Sequence, residues 1–138
     1  MISKIKEIKI NNKIETTITF TEEMVDKFAQ ITNDHHPLHV NREFALENGF
    51  KNKIVHGMFI SAACVSIIVN QLIGENMIII SQNFKYNSPI LVNEEVHIIC
   101  EILKIEQRFK IVEIKYKIKQ KNVVACIGKI NIKLRQYL

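Results

Sequence analysis

Several classes of protein are disfavoured by what this sequence lacks. It contains no tryptophan, and its basic residues form no run with interleaved aromatic side chains. Proteins that bind nucleic acids usually carry such a basic patch or a recognisable motif. The chain also has no internal repeat, linker or low-complexity segment. We therefore expect a globular protein without a nucleic-acid partner.

Cysteine is scarce and widely spaced. The three cysteines, Cys64, Cys100 and Cys126, form no short-spaced pair, and each lies in an apolar segment. Disulfide and zinc frameworks are recognised by closely spaced cysteines, so neither is expected here. Buried free thiols are typical of a reducing compartment.

Targeting and membrane signals are missing too. Residues 1–13 alternate isoleucine and lysine and contain no apolar core of a signal peptide. The longest apolar segment, residues 57–73, is shorter than a membrane span and is interrupted by polar residues. We expect a cytoplasmic protein that has no signal peptide and does not associate with a membrane.

Length and composition are those of one ordinary domain. The 138 residues are 47% hydrophobic and 24% charged, which predicts a single domain over residues 1–138. The net charge is +5, but the lysines are scattered, as at Lys115, Lys117 and Lys119. This spacing favours a solvated sheet face. A weak attraction for a phosphate-bearing ligand is the alternative.

The N-terminal quarter predicts a strand followed by a helix. Residues 8–20 alternate apolar and polar about the turn-like pair Asn11-Asn12, which indicates a strand or a small hairpin. Thr21 is a good helix cap, and two glutamates follow it in the first turn. Apolar residues at helical spacing predict a helix that ends near Thr32 or Asn33.

A tight connection and a second short helix come next. In the connection, residues 34–39, Pro37 disfavours the α conformation at His36, so the backbone should be extended there. Residues 42–48 can form a short helix. Gly49 suits the left-handed conformation that often follows a helix end.

The remainder predicts one buried helix and a sheet. Residues 58–73 are apolar almost all round, which is typical of a helix buried on nearly all sides, and Gly74 ends it. β-branched residues then predict four antiparallel strands over residues 78–86, 95–106, 109–119 and 123–134. The fold class is therefore α+β, with a sheet wrapped around one helix.

Acid and base lie close together in the connection between the first two helices. Asp34 and His39 bracket a turn stiffened by Pro37, so both side chains can reach one site. A carboxylate and an imidazole held in this way can activate a water molecule between them. The structural alternative is that Asp34 is a helix cap or part of an Asx-turn, and that the histidines have no chemical role.

A metal site in the same turn is a further alternative. Asp34, His35, His36 and His39 are ligands of the right type, but a zinc site usually needs further ligands and supporting hydrogen bonds. Adjacent histidines on extended backbone point to opposite sides. We therefore expect no metal at this turn.

The second motif is Ile54-Val55-His56-Gly57-Met58, a loop that enters the buried helix. Backbone N–H groups at a helix N-terminus can stabilise developing negative charge. Gly57 is the candidate donor, and Val55, His56 and Met58 are candidate substrate-binding neighbours. Packing or a turn is the alternative role for Gly57, and a structural hydrogen bond is the alternative for His56.

These motifs resemble the MaoC-like, (R)-specific enoyl-CoA hydratases. In that family an aromatic residue precedes Gly-Asp-x-Asn-Pro-aliphatic-His and a later small residue. This chain matches the pattern at Phe28, Asp34, Pro37, Leu38, His39 and Ala45. Residues 54–58 match a second family motif, and residues 86–96 resemble a third. Asn33 stands where glycine is usual, and His36 where asparagine is usual.

The resemblance implies a hot-dog fold, in which an antiparallel sheet wraps a long helix and dimers join two sheets. We expect a homodimer or a higher homo-oligomer. It also implies reversible hydration of a trans-2-enoyl-CoA to the (R)-3-hydroxyacyl-CoA, with an acyl-CoA thioester as substrate and no cofactor. Asp34 is then expected to take the water proton. His39 would orient the water and deliver a proton to Cα, and the two roles are interchangeable.

Other functions of this fold stay open. An acyl-CoA thioesterase or an acyl-carrier-protein dehydratase would share the fold, which by itself does not determine the reaction. A non-catalytic acyl-CoA-binding module is the alternative from another class. A sensor would not need both Asp34 and His39, so the pair favours an enzyme.

Overall fold

The chain folds into an antiparallel sheet that packs against one long helix. A computed structural model describes residues 7–135, so both ends of the expected domain 1–138 lie outside the described residues. Strand β1 (Lys13–Thr19) leads into α1 (Glu22–Thr32), α2 (Pro37–Val40) and α3 (Arg42–Glu47). The other elements are α4 (Gly57–Ile67), β2 (Met77–Tyr86), β3 (Glu95–Glu106), β4 (Ile111–Gln120) and β5 (Val123–Leu134). The predicted α+β class is confirmed.

The helix ends follow the local sequence signals. Thr21 Oγ1 accepts the Met24 N–H at 3.2 Å, as expected of a cap, and α1 ends at Asn33, whose φ is 58°. Asn41 Oδ1 caps α3 by accepting the Phe44 N–H at 3.0 Å. Beyond α3, Gly49 has a φ of 85°, which glycine adopts without strain.

The predicted first strand begins later than the sequence pattern indicated. Asn11 has a φ of 69°, and the Asn12 side chain accepts the Lys9 N–H at 2.8 Å. These two asparagines lie in a turn and exchange backbone hydrogen bonds with Ile102 of β3, and the strand itself begins at Lys13. The hairpin alternative is therefore wrong for the described residues, because nothing before the turn is extended into a partner strand.

The central helix is less buried than predicted. It runs as an α-helix to Ile67, continues as a π-helical turn (Ile68–Leu72), and stops before Gly74, whose φ is 95°. One side packs in the core, but every fourth residue of the other side is exposed: Met58, Ala62, Ser66 and Asn70. The prediction of burial on nearly all sides was wrong, because the sheet of one chain covers only one side.

The sheet has the strand order β1-β3-β4-β5-β2, with every neighbouring pair antiparallel. Alternate residues of β3 and β4 face the core and are fully buried: Val96, Ile98, Cys100, Ile102, Val112, Ile114, Tyr116 and Ile118. Lys115, Lys117 and Lys119 alternate with them on the outer face. Strand β2 is left at one edge of the sheet.

The three cysteines are free and buried in this core, as expected. Within residues 7–135, no helix combines the length and the apolar character needed to cross a lipid bilayer.

Candidate active site

The turn after α1 is held by side chains close in sequence. The Asp34 N–H donates to Thr32 Oγ1 at 3.3 Å, and Asp34 Oδ1 accepts the His36 N–H at 3.2 Å. His36 is extended, with φ −55° and ψ 131°, as Pro37 requires. The expected tight connection is partly helical, however. Pro37 starts the single turn α2 because its fixed φ suits a first helical position.

Helix α2 is docked on the strand-like backbone at Ile54. The Ile54 N–H donates to the Leu38 carbonyl at 3.0 Å. In return, His39 Nδ1 lies 2.8 Å from the Ile54 carbonyl oxygen. A carbonyl can only accept, so Nδ1 carries the proton and His39 Nε2 presents a lone pair. The imidazole is thus fixed in the tautomer of a base.

The surroundings of His39 keep it neutral. Partial burial lowers the pKa of its imidazole, and the hydrogen bond to Ile54 opposes this shift. The neighbouring His56 lowers the pKa further, whereas the Asp34 carboxylate raises it. Because the net shift is downward, His39 is unprotonated at neutral pH and can accept a proton.

His56 is buried beneath His39 and linked to Asp34. Only 2% of its surface is exposed. Its Nε2 lies 3.0 Å from the Asp34 carbonyl oxygen, so this nitrogen donates. The His39 and His56 rings stack with centroids 3.8 Å apart, and Phe28 packs against His56 at 4.8 Å. Phe28 of the first motif and His56 of the second thus pack beneath Asp34 and His39.

Three side chains converge at this point. Asp34, His39 and His56 each offer one metal-ligand atom, and these atoms lie within 4.8 Å of one another. The set differs from the one considered from sequence, because His56 takes the place of His35 and His36. The two imidazole planes are within 25° of parallel, so their in-plane lone pairs do not point to one ion. The geometry suits an acid–base pair better than a metal centre.

The start of α4 lies beside this group. Among the described residues, the backbone N–H groups of Gly57 and Met58 have no hydrogen-bond partner. This is expected of the first turn of a helix. Val55 is buried, with its N–H donating to the Ile90 carbonyl at 2.8 Å, whereas Met58 is 72% exposed. The free N–H groups can stabilise an anion next to the acid–base pair.

Tyr86 was not predicted as a site residue. Its hydroxyl donates to the Gly57 carbonyl at 2.7 Å. A Cβ added at Gly57 would lie 3.0–3.3 Å from three ring carbons of Tyr86. A methyl group at Gly57 would lie closer to the tyrosine ring than most such contacts, so alanine would fit only if the ring moved by a few tenths of an ångström. Burial raises the pKa of Tyr86, which keeps its hydroxyl a donor.

The sequence profile of the MaoC-like domain matches residues 5–123. The chain belongs to the MaoC-like domain family. In sequence it is 27% identical over 100 residues to an (R)-specific enoyl-CoA hydratase of Aeromonas caviae, covering 72% of this chain and 75% of that protein. It is 30% identical over 89 residues to a mitochondrial 3-hydroxyacyl-[acyl-carrier-protein] dehydratase of Arabidopsis thaliana. That match covers 64% of this chain and only 52% of the Arabidopsis protein, about half its length.

A solved structure supports the same assignment. The (R)-hydratase from A. caviae involved in PHA biosynthesis superposes on this MaoC-like domain with a TM-score of 0.88 and 25% identity. The alignment covers 94% of this chain and 98% of the hydratase chain. The hot-dog fold expected from the sequence is thereby confirmed.

Sequence reasoning located most of the candidate residues in this MaoC-like domain. Asp34, His39 and His56 are brought together, and Gly57 begins the adjacent helix. Tyr86 was missed as a site residue, although it begins the third motif. Its contact with Gly57 spans 29 positions in sequence, and no local pattern signals such a pairing.

Proposed function

We propose that this protein is an (R)-specific enoyl-CoA hydratase, which adds water reversibly to a trans-2-enoyl-CoA to give the (R)-3-hydroxyacyl-CoA. The observation that carries the proposal is the proximity of the Asp34 carboxylate to a neutral His39 whose Nε2 is free. The A. caviae hydratase, which matches in sequence and fold, supports this reaction class.

The tautomer of His39 suggests a specific proton path. His39 Nε2 takes a proton from the water as the water oxygen bonds to Cβ. The resulting imidazolium, stabilised by the Asp34 carboxylate, returns that proton to Cα, so no proton is gained or lost. Of the two interchangeable assignments made from sequence, this geometry favours His39 as the base and Asp34 as the residue that orients the water.

The N-terminus of α4 supplies partial positive charge, which complements the negative charge that develops on the substrate. Negative charge develops on the thioester oxygen as water attacks Cβ. We assign the Gly57 N–H as a donor to that oxygen, because it is free and lies at the positive end of a helix. Removing such a donor typically raises a barrier by about 3–4 kcal/mol. The reaction needs no cofactor, since coenzyme A is part of the substrate.

We further propose that two copies of the chain form a dimer through β2. This strand lies at the edge of the sheet, and Ile78 and Ile80 on it are exposed. An exposed apolar edge strand favours pairing with another strand. The exposed side of α4 would become buried in the same dimer.

The buried free cysteines support a reducing compartment such as the cytoplasm.

Acyl carrier protein is a second candidate for the group that carries the acyl chain. Two relatives, from Arabidopsis thaliana and Solanum lycopersicum, are named 3-hydroxyacyl-[acyl-carrier-protein] dehydratases. The same acid–base pair could act on a thioester of acyl carrier protein.

A single set of assays tests the function and the carrier. Crotonyl-CoA and crotonyl-acyl carrier protein are offered separately, and the enoyl-thioester absorbance, the free thiol and the chirality of the product are measured. We expect loss of the enoyl band with the CoA substrate, no free thiol, and an (R) product. Release of thiol would indicate a thioesterase instead. Binding without turnover would indicate an acyl-CoA-binding module.

A further inference from the structure

The residue that caps the helix of His39 is itself a histidine. His36 Nδ1 accepts the Leu38 N–H at 3.2 Å, and this bond closes the N-terminus of α2. A ring nitrogen can accept only while it carries a lone pair, so the cap exists only with Nδ1 unprotonated. Helix α2 has only four residues; besides this cap, the His39 N–H donates to the His36 carbonyl at 2.9 Å and the Asn41 N–H to the Pro37 carbonyl at 2.9 Å.

The groups around His36 belong to the candidate active site. Asp34 Oδ1 accepts the His36 N–H at 3.2 Å. The ring of His39 lies 5.9 Å from that of His36, and His56 is stacked behind His39. His35 is the preceding residue. One acid and three other imidazoles therefore form the titratable surroundings of this cap.

We propose that His36 is a positioning residue whose unprotonated Nδ1 holds the turn that carries His39, and whose protonation releases that turn. This inference rests on the proposed hydration. When Nδ1 gains a proton, two donors face each other and the cap is lost. The new positive charge, one ring away, also opposes proton uptake by His39. Both effects lower the rate of hydration whenever Nδ1 is protonated.

The asparagine usual in the family at this position provides the matched variant. An asparagine caps a helix through its amide oxygen and does not titrate in this range. His36→Asn should therefore keep the cap at every pH, whereas His36→Ala should lack it at every pH. His35→Asn removes an adjacent imidazole that caps nothing among the described residues, and it serves as the control.

The test compares pH profiles of kcat and KM on crotonyl-CoA for the wild type and these three variants. We expect His36→Ala to lose about fivefold in kcat at alkaline pH, the equivalent of one lost cap. We expect His36→Asn to retain more of its alkaline activity at acid pH than the wild type does. His35→Asn should follow the wild-type profile. Identical acid limbs for wild type and His36→Asn, or full activity of His36→Ala, would overturn the proposal.

A second measurement does not depend on activity. The ¹⁵N shifts of the His36 imidazole report which nitrogen carries the proton, and the Leu38 amide shift reports the cap. We expect an unprotonated Nδ1 at alkaline pH, and a Leu38 amide that moves together with its protonation. A protonated Nδ1 at alkaline pH would overturn the inference. If the protein lacks hydratase activity, the NMR measurement still shows whether protonation of His36 breaks the cap. Failure of the proposed function and failure of this inference can therefore be told apart.

Discussion

The imidazole of His39 rests on that of His56, with ring centroids 3.8 Å apart and planes 25° from parallel. His56 also donates to the Asp34 carbonyl, so one buried side chain contacts both members of the acid–base pair. Its position is fixed in turn by Phe28, which stacks on Phe59 with centroids 4.8 Å apart. Asp34 and His39 are thus supported by a continuous series of rings.

His56→Phe separates the two contributions of this residue. Phenylalanine preserves a ring beneath His39 but cannot donate to the Asp34 carbonyl. The net value of one such hydrogen bond is about 0.5–1.5 kcal/mol, so we expect kcat to fall by roughly two- to tenfold while the fold persists. Steady-state kinetics and thermal unfolding measure the two effects. Wild-type kcat in this variant would contradict a positioning role for the hydrogen bond.

Asp34→Asn and His39→Gln test the proposed acid–base pair directly. Each variant keeps a polar side chain of similar size but removes the charge or the base. We expect each to lose at least about a hundredfold in kcat, the contribution typical of a positioned acid or base. Circular dichroism provides the control for folding. If either variant kept more than about a tenth of wild-type kcat, the role proposed for that residue would be contradicted.

The lowered pKa of His39 predicts how stability depends on pH. The unfolded state takes up a proton near the ordinary histidine value of about 6.5, before the folded state does. The stability that His39 contributes to the folded state is therefore fully present above the pKa of the unfolded state. It is lost as the pH falls from the unfolded pKa toward the lower folded pKa. Urea unfolding on both sides of this range should show a smaller acid-side loss in His39→Gln than in the wild type. An equal loss of stability in both proteins would show that a group other than His39 causes it.

Gly57→Ala should disturb the start of α4 through Tyr86. The added methyl group would lie 3.0 Å from Cζ of the tyrosine ring, and such overpacking typically costs about 1–3 kcal/mol. We expect a lower melting temperature and a large loss of kcat. In the double variant with Tyr86→Ala the steric conflict is removed, so much of the stability should return. Equal stability of Gly57→Ala with and without Tyr86 would show that the ring is not the cause.

The proposed dimer can be tested at one edge residue. Ile80 on β2 is 51% exposed, and a charge there should oppose strand pairing, so we expect Ile80→Lys to be monomeric in sedimentation equilibrium. The control is Ile10→Lys, which alters an isoleucine that is 53% exposed and precedes β1 at the opposite edge. That variant should remain dimeric. A monomeric wild type, or equal dissociation of both variants, would contradict an assembly through β2.

Features encoded by neighbouring residues could be predicted from the sequence. The Thr21 cap, the left-handed Asn33 and the extended His36 each depend on residues a few positions away. The proximity of Asp34 and His39 depends on one proline-stiffened turn. The asparagine turn before β1 is also local, and the pair Asn11-Asn12 indicated it. The apolar alternation before that turn suggested a second strand, which does not form among the described residues. Periodicity reports which way side chains face but not whether a strand finds a partner.

Features made by distant residues could not be predicted. The contact of Tyr86 with Gly57 depends on how β2 lies against α4, which no short pattern records. The burial of His56 beneath His39 depends on the docking of α2 against Ile54. Likewise, the exposed side of α4 follows from how far the sheet extends around it. An apolar sequence alone does not distinguish a surface covered within the chain from one left for a partner.

The buried thiols have a practical consequence. Burial raises the pKa of Cys100 to about 12 and that of Cys126 to about 11, and it also raises the pKa of Cys64. Alkylating reagents attack thiolates, which the native protein therefore withholds. Labelling with iodoacetamide would then proceed only from molecules that have opened, so the rate of carbamidomethylation counts excursions from the native state.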